Sequence, residues 1–415
     1  MLLQLPETQA LQSLTRDGRL LFSTRSIRLF AFGLVSVILV LYLAQVGFND
    51  SQVGVLLSLT LAGDAAISLW ITTRADRMGR RRMLIVGGIL MIIAGVAFAF
   101  SGNFIILTLA AIIGTISPSG NEVGPFLSIE QAGLSQIIPD NQRTAVFAWY
   151  NLSGSVATAL GALIGGGLAQ LLQSTGVSAL SSFRVILVMY ALLGVLLVII
   201  FNRITVVIET PQKPITTTSR LGLEKSRGIV LQLSALFALD AFGGGLIVQS
   251  LVAYWFFTRF GVDTAVIGAI FFGANIFAGL SALAAARMAA RFGLINTMVY
   301  THVPSNILLM LVPLMPTLPL AIIVLLLRFS ISQMDVPTRQ SYVVAVVSPD
   351  ERAAAAGVTG IARTVGAMFS PLITGSLLGA GLLSVPFFLA GGLKLIYDFS
   401  LYRSFKTIKP PEEQN

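Results

Sequence analysis

Twelve apolar runs, each close to the length of one bilayer crossing and divided by short loops, dominate this chain and restrict what it can become. A helix needs about 20 residues to cross about 30 Å of hydrocarbon, and within that layer its backbone N–H and C=O groups must be satisfied inside the segment. The runs cover residues 27–47, 52–72, 83–101, 104–137, 144–172, 182–202, 229–257, 262–286, 295–315, 319–347, 353–379 and 384–404. They predict an all-α membrane protein with twelve transmembrane helices. Composition agrees: of 415 residues 55% are hydrophobic and 11% charged, where a soluble domain carries about 25% charged residues. Basic residues gather in alternate loops, among them Arg74, Arg80, Arg81, Arg82, Arg203, Arg287, Arg291 and Arg403, with Arg25 and Arg28 at the first boundary. The opposite side has little beyond Arg184 and Arg259. By the positive-inside rule both termini are expected in the cytoplasm, consistent with an even number of spans. The expected location is the cell membrane. Residues 1–26 mix Glu7, Arg16, Asp17 and Arg19 without a signal-peptide pattern, and read as a cytoplasmic tail.

Several function classes are disfavoured by what the chain lacks. There is no cysteine and one histidine, His302, so thiolate, iron–sulfur and multi-histidine metal centres are not expected. Neither a phosphate-binding G-x-x-x-x-G-K-[ST] loop nor a dinucleotide fingerprint occurs. The formal charge of +9 follows the loops rather than one soluble face, so nucleic acid is not an expected partner. No cofactor, metal or enzymatic activity is expected; the expected partners are the lipid bilayer, a small-molecule substrate and protons, with the chain a monomer.

Residues 203–228, with Thr210 to Pro214 and Thr216 to Ser219, lack apolar periodicity and read as a cytoplasmic linker. The linker separates six-helix bundles at 27–202 and 229–404, followed by a tail at 405–415. Gly47, Gly54, Arg77 and Gly79 recur as Gly261, Gly268, Arg291 and Gly293 at an offset of 214, and Pro139 with Asp140 recurs as Pro349 with Asp350 at 210. Ordered matches at a nearly constant offset indicate a duplicated six-helix unit, hence pseudo-symmetric halves.

The loop after the second run contains Asp76, Arg77, Gly79, Arg80, Arg81 and Arg82. It closely resembles the G-x-x-x-D-R-x-G-R-R signature of the major facilitator superfamily, with Thr72 where that family usually has glycine. The resemblance implies that family's fold and a transport function, with the first, fourth, seventh and tenth spans lining a central cavity. Ala110 stands four residues before Gly114, where the family commonly has an arginine. Gly161, Ala162, Gly165 and Gly166 are similar to the family's antiporter motif with alanine in place of proline, a spacing that close helix packing explains equally well.

Ionisable groups within a span need partners or a purpose. Glu122, Asp240 and Asp335 fall near mid-depth of the fourth, seventh and tenth runs. The fourth is interrupted by Pro118, Gly120, Gly124 and Pro125, and the tenth carries the polar stretch Ser330, Gln333, Asp335, Pro337, Arg339 and Gln340. Paired interrupted helices point to a binding site. Glu122, Asp240 and Asp335 are expected to act with Asn121, Gln333 and Arg339 in substrate binding and proton coupling, although Asp335 could instead pair with Arg339 one turn away. The resemblance implies a cytoplasmic latch in which Glu130 joins Asp76, Arg77, Gly79 and Arg80. The charges Asp76, Arg80 and Glu130 are replaced by Ala290, Leu294 and Gln340 in the second half. Asp64 and Arg363, at matching depths on the second and eleventh runs, are expected to pair between the halves. Lys394 is expected to snorkel toward the cytoplasm, Arg328 to line the outer cavity, and His302 to make a polar helix contact. The expected function is secondary active transport of a small organic solute by alternating access, as proton-coupled efflux. The alternatives left open are proton-coupled uptake and a non-transporting receptor or scramblase on the same fold.

Overall fold

The computed structural model describes residues 14–122, 125–139, 143–209, 223, 225–348 and 351–408, with the side chains of Thr73, Asp76, Arg77, Arg143 to Ala145 and Ala353 outside that description. All regular structure among these residues is helical. The helices are α1 (Arg16–Ser36), α2 (Leu39–Val46), α3 (Asp50–Met78), α4 (Arg80–Phe100), α5 (Phe104–Ile113), α6 (Phe126–Ile137), α7 (Arg143–Ser174) and α8 (Ala179–Arg203) in the first half. The second half contains α9 (Arg227–Gly245), α10 (Gln249–Phe260), α11 (Thr264–Phe292), α12 (Leu294–Leu311), α13 (Leu318–Ser332), α14 (Asp335–Ala345), α15 (Arg352–Met368), α16 (Ser370–Gly379) and α17 (Val385–Phe405).

Nine helical segments among the described residues are long and apolar enough to cross a membrane, and the bent pair α1 and α2 makes a tenth. The two other expected spans depart from that pattern for different reasons. The fourth is split into α5 and α6, of 10 and 12 residues, by the glycine- and proline-rich segment 114–125. The last is the 21-residue α17, which carries Lys394, Asp398 and Arg403. The first helix starts at Arg16, inside the stretch expected as a tail, where the Thr15 hydroxyl accepts a hydrogen bond from the Gly18 N–H at 3.2 Å. This start carries Arg25 and Arg28 well into the helix.

The chain divides into two compact units. Unit 1 comprises Met1–Phe48, Ala62–Lys213 and Gln249–Phe272; unit 2 comprises Asn49–Leu61, Pro214–Val248 and Gly273–Asn415. Within unit 1, α1 packs on α7 and α8, and α4 on α8. Within unit 2, α9 packs on α15 and α17, and α12 on α17. These are the same pairings between corresponding helices, as a duplicated sequence requires. The repeat extends to the turns: Gly47 and Gly261 have φ of 103° and 64°, and Gly79 and Gly293 have φ of 99° and 83°. Only glycine adopts such values without a steric cost. Two residues beyond the first pair, Asn49 and Asp263 cap the next helices: Asn49 Oδ1 accepts from Gln52 N at 2.9 Å and Asp263 Oδ1 from Val266 N at 2.8 Å.

The expected linker is partly docked. Ile204 and Ile208 are buried, and the Glu209 carboxylate accepts the backbone N–H of Arg80 at 2.6 Å and of Arg81 at 3.1 Å, covering the start of α4. At the other end Glu351 accepts the N–H groups of Lys225 and Ser226, both at 2.8 Å, ahead of α9. Residues 210–222 and 224 of the linker lie outside the described residues.

Candidate functional site

Each unit encloses a cluster of ionised side chains. In unit 1 the cluster joins α1, the α5–α6 break, α6 and α7. Arg28 uses its guanidinium fork on two acids: Nε donates to Glu122 Oε1 at 2.6 Å, while Nη1 and Nη2 donate to Glu130 at 2.8 and 2.7 Å. Arg25, one turn earlier, donates to Glu122 Oε2 at 2.9 Å and to Asn151 Oδ1 at 3.2 Å. Glu130 also accepts from the Thr24 hydroxyl at 2.8 Å and from the Tyr150 hydroxyl. Aromatic faces cover the two arginines, Tyr150 at 4.3 Å from Arg25 and Phe126 at 4.5 Å from Arg28. Two carboxylates thus face two guanidinium groups, with Glu130 wholly enclosed and the Glu122 side chain 12% exposed.

In unit 2 the centre is Asp240 on α9. Its Oδ1 accepts from Lys394 Nζ of α17 at 2.6 Å, and its Oδ2 accepts from Arg363 Nη1 of α15 at 2.9 Å and from Arg339 Nη1 of α14 at 3.4 Å. Arg339 also donates to Asp335 at 2.6 Å, one helical turn away. His302 on α12 links two acids, with Nδ1 2.7 Å from Asp398 and Nε2 3.7 Å from Asp240, and Asn306 donates to Asp398 at 2.9 Å. Phe237, Tyr342, Tyr397 and Phe405 belong to the apolar core of this unit, with the Phe237 ring 5.6 Å from the Arg339 guanidinium and the Tyr397 ring 5.8 Å from His302. His/Cys/Asp/Glu groups able to hold a metal ion do not occur among the described residues.

Comparison with known proteins fixes the family. The pattern of the Major Facilitator Superfamily matches residues 21–333. The chain belongs to this superfamily. It is 29% identical over 419 residues to an uncharacterized membrane protein of Saccharomyces cerevisiae, with 93% of each chain covered. It is 28% identical over 138 residues to the quinolone resistance protein NorA of Staphylococcus aureus, covering 33% of this chain and 34% of that protein. Among solved structures, the nucleoside transporter NupG superposes with a TM-score of 0.69 at 15% identity, covering 94% of this chain and 100% of that one. A D-xylose-proton symporter gives 0.71 at 14%, covering 93% and 97%. This is a superfamily transporter fold, in an integral, multi-pass membrane protein.

Within the superfamily fold the expected site residues are distributed differently from their sequence assignments. Glu122, Asp240, Asp335 and Arg339 all enter buried clusters, and Asp335 does pair with Arg339. Asn121 is exposed, bonded through its carbonyl to the Ser117 hydroxyl at 2.8 Å. The Gln333 N–H donates to Ser281 at 3.2 Å. The oxygens of Glu130, expected in the latch, accept from Arg28, Thr24 and Tyr150. Arg80 instead donates to the Gln136 side chain at 2.9 Å and the Ile208 carbonyl at 3.0 Å. The side chains of Asp76 and Arg77 lie outside the described residues, and Gly79 provides the positive-φ turn. Of the two residues expected to pair between the halves, Arg363 is bonded to Asp240 within unit 2 and Asp64 accepts from the Ser68 hydroxyl at 3.4 Å within unit 1. Lys394 does not snorkel; it is buried against Asp240. Arg25 and Arg28 were read from the sequence as boundary charges that set topology, and Tyr150 and Asp398 had no assigned role there. An acid at mid-span calling for a cation was the available signal, and Arg25 and Arg28 lay at the edge of the first run.

Proposed function

We propose that this chain is a secondary active transporter that exports a small organic solute in exchange for protons by alternating access, with both termini in the cytoplasm. The observation that carries this reading is the setting of Glu122. Its carboxylate lies in the break between α5 and α6, is held by Arg25 and Arg28 from another helix, and keeps partial exposure while Glu130 has none. A carboxylate that is both ion-paired and reachable can exchange its cation partners for a proton, which alters the tie between α1 and the broken fourth span. Asp240, with Lys394, Arg363 and Arg339, is the corresponding junction in unit 2 and holds three helices on one carboxylate. The partial likeness to NorA, a quinolone resistance protein, supports export. The Gly161, Gly165 and Gly166 motif adds nothing to it, since a methyl group at any of the three would fall within 2.6 Å of a backbone carbonyl oxygen.

Everted membrane vesicles energised to an acidic interior test the direction and the coupling together. Vesicles containing the protein are expected to accumulate a fluorescent organic solute from a drug and metabolite panel, and to lose the accumulation when a protonophore is added. Glu122→Gln is expected to abolish the pH-driven component while the folded protein persists on size exclusion. Accumulation only in right-side-out vesicles would reverse the assigned direction, and full pH-driven transport by both Glu122→Gln and Asp240→Asn would remove the coupling role.

A further inference from the structure

The cations set well inside the helices nearly all meet carboxylates: Arg25 and Arg28 in unit 1, and Arg339, Arg363 and Lys394 in unit 2. Arg328 on α13 does not. Among the described residues it makes no hydrogen bond and no ion pair, its Nε is fully buried without a partner, and its guanidinium lies 4.8 Å from the ring of the adjacent Phe329; the carboxylate whose field it feels, Asp335, is already bonded to Arg339. It stands ten residues after Leu318 at the start of α13, about 15 Å along the axis at 1.5 Å per residue. An arginine side chain at that depth reaches the interface poorly, so an uncompensated charge there is costly unless something else completes it.

The position is an inward one. Ala321, Leu325, Arg328 and Ser332 follow one another at steps of four and three residues, the stripe of one face of α13, and the same spacing continues past the break at Gln333 and Met334 to Asp335 and Arg339 of α14. Apart from Arg328, which is partly exposed, each is buried. Leu320, Ile323 and Leu327, on another face, are the exposed apolar residues. Arg328 therefore shares a face with Asp335 and Arg339 of the unit 2 cluster. Ser332, one turn from Arg328, has a buried hydroxyl with no partner as well. Two unused donors, one charged, thus stand four residues apart on this face, and no acceptor meets them.

We propose that Arg328, with Ser332, binds an anionic group of the transported solute, so that the substrate class is an organic anion carrying a carboxylate or a phosphate. A planar guanidinium recognises either group through charge-assisted, two-point hydrogen bonds. The proposal rests on the transport reading above, and narrows it from any small organic solute to one whose negative charge supplies the acceptor that the protein withholds.

Thermal unfolding of the full chain in nanodiscs tests this, using benzoate against benzamide and glucose 6-phosphate against glucose at constant ionic strength. At least one anion is expected to raise Tm with increasing concentration while its neutral counterpart does not. Arg328→Gln is expected to weaken that anion about tenfold or more, Arg328→Lys to retain part of the effect, and Ser332→Ala to weaken it less. Without ligand, Arg328→Gln is expected to melt at the same temperature as the parent or higher, because it removes a charge that no hydrogen bond or ion pair holds. The proposal is overturned by equal shifts with the neutral compounds, by no anion-dependent shift in the parent, by an undiminished shift in Arg328→Gln, or by a large loss of ligand-free Tm in that variant. An anion that binds through Arg328 but is not moved across vesicles would instead contradict the transport reading and leave the binding site standing.

Discussion

Arg28 shows at single-residue scale how this protein tolerates charge in an apolar setting. Its three donor nitrogens each meet a carboxylate oxygen, and the carboxylate of Glu130 receives further bonds from Thr24 and Tyr150. Removing one member of such a buried pair leaves the other uncompensated, a loss of about 3–5 kcal/mol. Arg28→Gln is therefore expected to lower the thermal midpoint strongly, and Arg28→Met combined with Glu130→Met to recover much of the difference; a midpoint unchanged by Arg28→Gln would deny the pair its structural role. These pairings were the least legible part of the sequence. Arg28 and Glu130 are separated by 102 residues, and Lys394 and Asp240 by 154. A basic residue at the edge of an apolar run looks the same whether it marks a loop or lies inside a helix facing a distant acid. The expectation that Lys394 snorkels failed for this reason, since depth alone does not specify which helix face a side chain takes.

Elements were more legible, because run length, prolines and turn glycines are local properties of the chain. The break in the fourth span followed from Pro118 and Pro125, and the duplicated turns from Gly47, Gly79, Gly261 and Gly293. Boundaries were less so: Thr15 caps a helix that apolarity alone began eleven residues later. Packing between elements relies on close backbone approach. A Cβ at Gly33 would lie 2.2 Å from the Thr158 carbonyl oxygen, and one at Gly161 would lie 2.1 Å from that of Phe30, whereas one at Gly167 meets nothing within 4 Å. Gly33→Ala and Gly161→Ala are each expected to destabilise the α1–α7 pair by about 1–3 kcal/mol, and Gly167→Ala to have no comparable effect. Thermal unfolding compares the three directly, and equal behaviour would mean that close packing does not limit this helix pair. Glu209→Ala is expected to remove the cap of α4 at a cost of about 1 kcal/mol, visible as faster amide exchange at Arg80 and Arg81. Unchanged protection at those two amides would show that the carboxylate does not hold them.

At the scale of the whole molecule, membrane class, repeat and superfamily were all accessible from the sequence, since they rest on composition, periodicity and one loop signature. The chemistry of transport required the structure, which exposes a division of labour among the interior charges. Glu130 and Asp240 are deeply enclosed by their partners, Glu122 is paired yet reachable, and Arg328 has no partner among the described residues. In the proposed cycle Glu130 maintains the fold, Glu122 exchanges protons with Asp240 as its counterpart in unit 2, and Arg328 meets the solute. Purified protein in liposomes, with a pH-sensitive dye sealed inside and an organic solute panel added outside, measures the central claim most directly. Addition of a transported solute is expected to produce a protein-dependent proton movement opposite in direction to the solute, abolished in Glu122→Gln. Solute flux with no proton movement, or undiminished coupled flux in Glu122→Gln, would contradict the account.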